Sequence, residues 1–100
     1  MADHSVLFSD QAYDQVDQID AWWRTNRPAA PDLFWQELED VVALLALLPL
    51  AGQAYRHPHV PGVRRHLLRS SRYHVYYVVS RDAVVVLAVW SAIKGGKPPL

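Results

Sequence analysis

Arginine is concentrated in one short stretch of the chain, and this stretch is the clearest candidate for chemistry. Arg64, Arg65, Arg69 and Arg72 lie within nine residues, with His66 among them. Guanidinium groups present a planar fork of donors that fits phosphate and carboxylate oxygens. Histidine titrates near neutral pH and can act as an acid or a base. These five residues are therefore candidates for anion binding and for catalysis.

The arginines belong to a predicted β-strand over residues 63–70 and to the turn after it. Side chains alternate between the two faces of a strand. One face holds Arg65, Leu67 and Arg69, and the other holds Arg64, His66 and Leu68. If Arg65 and Arg69 point outward with Arg72, the three form a cluster suited to a phosphate or carboxylate. The alternative is that they are solvated and protect a sheet edge from pairing.

Aromatic residues are the second group of candidates, because the chain contains four tryptophans and five tyrosines. Trp22 and Trp23 are adjacent in a predicted helix and lie about 100° apart around its axis. If one packs inside, the other faces partly outward, where an indole can anchor a partner. Tyr13 and Trp35 lie on the two predicted helices as well. The alternative for an outward tryptophan is a position at the rim of the core.

The C-terminal segment is a third candidate for binding. Trp90 ends the last predicted strand, and Lys94 and Lys97 follow it among glycines and prolines. This composition disfavours a helix. The segment is either a cationic binding element or a frayed terminus without a role.

Charge is distributed unevenly although the net charge is zero. Residues 1–50 contain nine acids and two bases, and residues 51–100 contain eight bases and one acid. The basic half is predicted either to bind something acidic or to be a solvated surface without a functional role. A pI near 7.0 argues against a protein that coats nucleic acid broadly, because such proteins are basic overall.

Composition also excludes several kinds of site. The chain has no cysteine, which excludes disulfides and cysteine-based zinc sites and fits a reducing cytoplasm. His57 and His59 form a His-x-His pair, but no carboxylate or third histidine is close to it in the sequence, so no metal site is predicted. The polar start MADHS predicts no secretory signal, and the apolar run over residues 41–50 is too short to span a bilayer. We therefore predict a cytoplasmic protein without metal, cofactor or membrane contact.

Two helices are predicted after a short N-terminal strand. Ser9 is well suited as an N-cap, because its hydroxyl can accept a hydrogen bond from a free amide of the first turn. Apolar residues then repeat at helical spacing from Ala12 to Trp23. A second and more apolar stripe extends from Phe34 to Leu48. A short link between the stripes predicts an antiparallel helical hairpin.

Three further strands are predicted over residues 63–70, 73–80 and 84–91, after a loop over residues 51–61. Short turns between these strands predict an antiparallel meander. The order is β-α-α-β-β-β. We predict an α+β fold in which residues 1–100 form one domain, with the helical hairpin packed on a small antiparallel sheet and the N-terminal strand joined to the meander.

This order of elements resembles the RelE/ParE family of toxins from bacterial type II toxin–antitoxin modules. The resemblance covers nearly the whole chain and rests on an ordered set of short pieces. These are Phe8-Ser9 at the end of the first strand, the leucine-rich second helix ending at Pro49, Gly62-Val63-Arg64, the strand starting at Tyr73, and Val89-Trp90. The resemblance implies a toxin that is held inactive by a cognate antitoxin. In this family the antitoxin contacts the operator DNA, and the toxin reaches it only through the antitoxin.

The family has two branches with different targets. The RelE branch cuts mRNA on the ribosome, with cations from the sheet and a tyrosine or histidine near the C-terminus. The ParE branch poisons DNA gyrase by binding. Residues 91–100 contain no tyrosine and no histidine, which favours the ParE branch. The alternative is a ribosome-dependent mRNA endonuclease, with Arg64, Arg65, Arg69, Arg72 and His66 as catalytic candidates, and a second alternative is a non-toxic relic that acts only in operon control.

The resemblance assigns roles to the candidate residues above. The predicted target-binding residues are Arg65, Arg69, Arg72, Trp90, Lys94 and Lys97. The predicted antitoxin-binding residues are Tyr13, Trp22, Trp23 and Trp35. We expect the antitoxin to lie on the acidic helical hairpin and in the apolar groove between helices and sheet. We also expect that deletion of residues 94–100 weakens toxicity and leaves antitoxin binding intact.

Overall fold

The computed structural model describes residues 3–100, so Met1 and Ala2, part of the segment from which no secretory signal was predicted, lie outside the described residues. The described chain forms two helices and five strands. They are β1 (Ser5–Phe8), α1 (Asp10–Asn26), α2 (Leu33–Leu47), β2 (Gln53–Ala54), β3 (Arg64–Leu68), β4 (Tyr73–Val79) and β5 (Ala83–Ser91). The predicted α+β class is confirmed. No helix within residues 3–100 has both the length and the apolar character needed to cross a membrane.

The five strands form one sheet in the order β1-β5-β4-β3-β2. Strands β3, β4 and β5 form the predicted antiparallel meander. Strand β1 joins the meander beside β5 as predicted, but it is parallel to β5, so the sheet is mixed. Strand β2 falls in the segment predicted as a loop and pairs with Arg64 and Arg65. With only two residues, β2 is too short to show the alternation of apolar and polar side chains that identifies a strand in a sequence. It is a strand because it pairs with β3.

Ser9 begins α1 in the way its residue type predicts. Its hydroxyl accepts a hydrogen bond from the amide of Ala12 at 3.1 Å and donates to the carbonyl of Leu87 at 3.2 Å. The serine thus caps the helix and attaches its first turn to β5. Along α1, Ala12, Val16 and Trp23 are buried on one face, as their spacing predicts.

Helix α2 buries the predicted stripe from Phe34 to Leu45. Leu48 does not continue this stripe: it is 59% exposed, because the helix ends at Leu47 and the backbone of Leu48 has left the helical conformation. The expectation for Leu48 was therefore wrong. Asp32 precedes the helix without a side-chain capping bond, and its carboxylate instead pairs with Arg24 at 2.7 Å.

The sheet has apolar clusters on both faces. The helices cover the larger cluster, which includes Leu68, Val75 and Tyr77 from β3 and β4. A smaller cluster around Tyr76 and Ala88 is covered by the loop before β3 and by Leu100. Pro98 is buried as well, and Gln11 donates a hydrogen bond to the carbonyl of Pro99. The C-terminus is therefore packed against the domain rather than frayed.

Candidate functional site

The register of β3 assigns its residues to the two faces of the sheet. Leu68 lies opposite Tyr73 and belongs to the cluster under the helices. By alternation, Arg64 and His66 share that face with Leu68, whereas Arg65 and Leu67 lie on the opposite face. The structure thus shows which face of β3 meets the helices, which alternation alone did not decide.

Arg64 has a structural position. Its guanidinium donates to the carbonyl of Gly52 at 2.7 Å and to that of Leu50 at 3.4 Å. The amide of Gly52 in turn donates to the hydroxyl of the fully buried Tyr77 at 2.8 Å. Burial is the main influence on this phenol and raises the pKa of Tyr77. Through Nη1, Arg64 therefore holds the segment after α2 against the sheet.

A first cationic cavity, here called the β3 pocket, lies beside β3 and has a volume of about 300 Å³. Its lining includes Arg65, His66, Arg69 and His74, and among the described residues it contains no carboxylate. The guanidinium of Arg65 also stacks over the ring of Tyr55 at 5.2 Å. Burial, together with the charge of Arg65, lowers the pKa of His74, so this imidazole is neutral at neutral pH.

A second and larger cavity, here called the tryptophan groove, lies at the end of the sheet where β4 begins and β5 ends. Its volume is about 470 Å³. Helix α1, the β3–β4 turn, β5 and the segment after β5 all contribute to its walls. Its lining includes Trp22, Trp23, Arg27, Arg72, Trp90 and Lys94.

Helix α1 contributes an indole pair to the groove. Trp23 is 8% exposed and Trp22 is 43% exposed, so one packs inward and the other faces outward. Their rings meet edge to face with centroids 5.9 Å apart. The guanidinium of Arg27 lies over both rings, at 5.0 Å from Trp22 and 5.7 Å from Trp23. A cation is thus held against the aromatic wall.

The β3–β4 turn places Arg72 in the groove. Arg72 has a φ of 67°, a left-handed conformation that non-glycine residues seldom adopt. The carboxylate of Glu37, from α2, fixes this turn by accepting hydrogen bonds from the amides of Ser70 at 2.8 Å and Ser71 at 2.7 Å. Burial alone would raise the pKa of Glu37, but the hydrogen bonds from the two serines outweigh it and lower the pKa.

The segment after β5 forms the remaining wall. The hydroxyl of Ser91 accepts hydrogen bonds from the amides of Ile93 at 3.3 Å and Lys94 at 3.0 Å. These bonds turn the chain so that Lys94 lies at the groove. On the opposite wall, the side-chain carbonyl of Gln15 accepts a bond from the amide of Val89 at 2.8 Å. Helix α1 and β5 are therefore joined directly beneath the groove.

The groove has an unusual set of polar groups. Three cations line it, Arg27, Arg72 and Lys94, and the described residues contribute no carboxylate to its lining. Two lining side chains are more than nine-tenths buried and have a polar atom without a hydrogen-bond partner within the described residues: the indole nitrogen of Trp23 and the hydroxyl of Ser71. A buried polar group without a partner lowers stability, so each such group needs an explanation.

The candidate residues are thus divided between two sites. Arg65, His66 and Arg69 line the β3 pocket, while Arg72 lies in the tryptophan groove with members of the predicted antitoxin-binding and target-binding sets. Some candidates lie outside both linings: Lys97 and Tyr13 are exposed, and Trp35 is 39% exposed.

Arg27, Glu37 and Ser71 were missed by sequence reasoning. Only Arg27 could have been found from the sequence, because it lies four residues after Trp23, a spacing at which side chains on a helix are neighbours.

Within residues 3–100 no three histidine or acidic side chains come together in a way that could hold a metal ion. The ring nitrogen Nδ1 of His57 instead accepts hydrogen bonds from the amides of His59 and Val60, both at 3.1 Å. The His-x-His segment thus shapes its own loop.

Comparison with known proteins agrees with this architecture. Residues 6–93 match the family model for the ParE toxin of the type II toxin–antitoxin system parDE. A solved structure of the chromosomal ParDE toxin–antitoxin system from P. aeruginosa is similar in fold, with a TM-score of 0.70 and 21% identity over 88% of this chain and 95% of that chain. No curated protein matches the sequence. The family match extends over most of the chain, which therefore belongs to the ParE toxin family of type II toxin–antitoxin systems.

Proposed function

We propose that this ParE-family toxin poisons DNA gyrase by binding, and that a cognate antitoxin neutralises it. The observation that supports the proposal is the tryptophan groove, where Arg72, Trp90 and Lys94 meet the indole pair of α1. Tryptophan and arginine are the residue types most enriched among those that contribute the binding energy of protein interfaces. Such a site binds a partner without any covalent step.

The antitoxin is proposed to cover the same groove. The residues predicted to bind the antitoxin, Trp22 and Trp23, share its lining with those predicted to bind the target. A segment of the antitoxin placed there would exclude gyrase by occupying the site. Tyr13 and Trp35, which lie outside the groove, would extend the antitoxin contact along the helices. Operator DNA would be contacted by the antitoxin alone, in the cytoplasm.

The test is a plasmid assay with purified gyrase, ATP and the toxin freed from its antitoxin. The proposal predicts that linear or nicked plasmid accumulates only when gyrase is present. Arg81→Ala is the matched control for losses of cationic residues, because Arg81 is exposed in the β4–β5 turn and lines neither cavity. Unchanged supercoiling at stoichiometric excess of the toxin would contradict gyrase as the target.

A second candidate function is a metal-independent mRNA endonuclease on the ribosome, and the β3 pocket is the observation that favours it. RNA cleavage of this kind needs a base at the ribose 2′-hydroxyl, cations at the phosphate and an acid at the leaving oxygen. The lowered pKa of His74 suits a base, and Arg65 and Arg69 supply cations. Cleavage of mRNA by translating ribosomes, abolished by His74→Asn, would favour this function over gyrase poisoning.

A further inference from the structure

We propose that the tryptophan groove binds a nucleobase together with its phosphate, presented by single-stranded DNA. This inference goes beyond a protein-only contact with gyrase. It concerns the same groove, but its test contains no gyrase, so the two ideas can fail separately.

The aromatic wall of the groove supports a planar ligand. Trp22 and Trp23 line this cavity from α1, and the outward indole of Trp22 is 43% exposed; Trp90 lies at its edge, with its side chain packed against the smaller cluster on the other face of the sheet. Arg27 lies over the Trp22 and Trp23 rings and extends the wall with a second planar group. Unpaired bases stack on aromatic rings and on guanidinium planes, because every base has a π-face. A base in a duplex is already stacked on its neighbours, so its π-face is not available to the protein.

The charges of the groove support a phosphate beside the base. Arg27 at the C-terminal cap of α1, Arg72 in the β3–β4 turn and Lys94 after β5 direct cations to one cavity from three separate parts of the chain. The described residues contribute no carboxylate to the lining that would neutralise them. A cationic groove combined with stacking rings is the general design of sites for single-stranded nucleic acid.

The two buried groups without partners are the independent sign of a ligand. The indole N–H of Trp23 is a donor, and the hydroxyl of Ser71 can donate or accept. Ser71 directly precedes Arg72 in the turn. Both atoms are shielded from solvent in the free protein, so a base or a phosphate would become their partner by displacing the side chains that cover them.

The size of the groove limits the ligand to a short one. A volume of about 470 Å³ lies within the range of roughly 300–1,000 Å³ typical of small-molecule sites. An acidic peptide could neutralise the cations, but it would leave the exposed indole of Trp22 and the guanidinium plane of Arg27 without a stacking partner. A nucleotide uses the rings, the cations and the buried donors together, and this is why we favour it.

The test follows the four indole N–H resonances of the full-length toxin by ¹⁵N NMR during titration with hexathymidylate. The proposal predicts that the resonances of Trp22, Trp23 and Trp90 move while that of Trp35, which lies outside the groove, stays in place. The Trp23 resonance should shift downfield as its N–H gains an acceptor. Thymidine 5′-monophosphate, as a second ligand, shows whether one nucleotide is enough or a strand is needed.

Variants and salt give a second readout. Trp22→Ala should weaken hexathymidylate binding about fivefold or more, since stacking contributes roughly 1–3 kcal/mol per base. Three phosphate-neutralising cations predict that log K falls with log salt with a slope of about −2. Arg72→Ala should reduce this slope, whereas Arg81→Ala should leave it unchanged. Chemical-shift dispersion verifies that each variant is folded.

Three results would overturn the proposal. The first is the absence of any indole shift at millimolar hexathymidylate. The second is a Trp35 shift as large as the others, which would indicate diffuse charge attraction. The third is tighter binding of a hexaglutamate peptide than of hexathymidylate at the same resonances, which would identify the groove as a site for acidic peptides.

Discussion

The tryptophan groove and the β3 pocket are both cationic, and among the described residues neither lining contains a carboxylate. They differ in how they are built. The groove joins four elements around the indole pair of α1, whereas the pocket lies along β3 and its lining includes two arginines and two histidines. The groove is therefore suited to holding a partner, and the pocket contains groups that can move protons.

The difference shows how one sequence cluster is divided in space. Arg69 and Arg72 are three residues apart, yet they line different cavities. The chain reverses between them through the left-handed Arg72 and the two hydrogen bonds that the Glu37 carboxylate accepts from the turn. A cluster of like residues in the sequence thus need not be one site.

The largest expected effect is a loss of stability that differs between the buried Trp23 and the half-exposed Trp22 of the groove. Trp23→Ala removes a buried indole and should lower the free energy of unfolding by about 3–5 kcal/mol. Trp22→Ala removes a half-exposed indole and should lower it by about 1 kcal/mol or less. Urea denaturation followed by circular dichroism measures both. Equal losses would mean that the two indoles do not divide the structural and binding roles.

A substitution at Gly52 should damage the β3 pocket and spare the groove. A Cβ at Gly52 would lie 2.5 Å from the Tyr77 hydroxyl and 2.8 Å from the carbonyl of Arg65. We expect Gly52→Ala to lower the free energy of unfolding by about 1–3 kcal/mol. Gly95→Ala is the control, because a Cβ there meets no atom within 4 Å. Wild-type stability of Gly52→Ala would show that the contact to Tyr77 is not tight.

Glu37→Gln should loosen the turn that places Arg72. Loss of the charged acceptor should lower the free energy of unfolding by about 1–2 kcal/mol. The pKa of Glu37 is lower in the folded protein than in the unfolded chain. Its stabilisation is therefore complete above the unfolded value of about 4.3 and is lost as the pH falls through the folded value.

The measurement is urea denaturation of wild type and Glu37→Gln between pH 3 and pH 7. The difference between the two should be constant above about pH 5 and shrink below about pH 4. Glu39→Gln, at an exposed position of the same helix, should show little difference at any of these pH values. A gap that widens with acid would contradict the assignment of Glu37.

The smallest expected effect distinguishes two lysines of the C-terminal segment. Lys94 lines the groove and Lys97 does not. Lys94→Ala should reduce gyrase-dependent plasmid cleavage several-fold, and Lys97→Ala should reduce it less. Point variants are needed here, because the earlier test by deletion of residues 94–100 would also remove Pro98 and Leu100 from their packing. Equal effects of the two lysines would argue for a diffuse cationic tail.

Much of the fold could be predicted because local patterns determine it. Ser9 caps α1, the apolar stripe of α2 is buried to Leu45, and the meander follows the short turns. The parallel direction of β1 and the two-residue β2 depend on long-range pairing, which leaves no local pattern. These features required the structure.

The sequence predicted which residue types form the candidate site, but not how these residues are arranged in space. Alternation on β3 was right, but which face meets the helices depends on Leu68 packing under them. The position of Arg72 in the same groove as Trp22 depends on Glu37, a side chain from α2 that is more than thirty residues earlier in the chain than Ser71. Such contacts between distant residues are not encoded in spacing.

The most direct test of the central claim compares two double variants in the gyrase plasmid assay. One is Arg72→Ala with Lys94→Ala, in the tryptophan groove, and the other is Arg65→Ala with Arg69→Ala, in the β3 pocket. Each removes two positive charges, so net charge is matched. Loss of gyrase-dependent cleavage in the groove variant, with cleavage retained in the pocket variant, is the predicted result. Loss in the pocket variant, with full cleavage by the groove variant, would contradict the account.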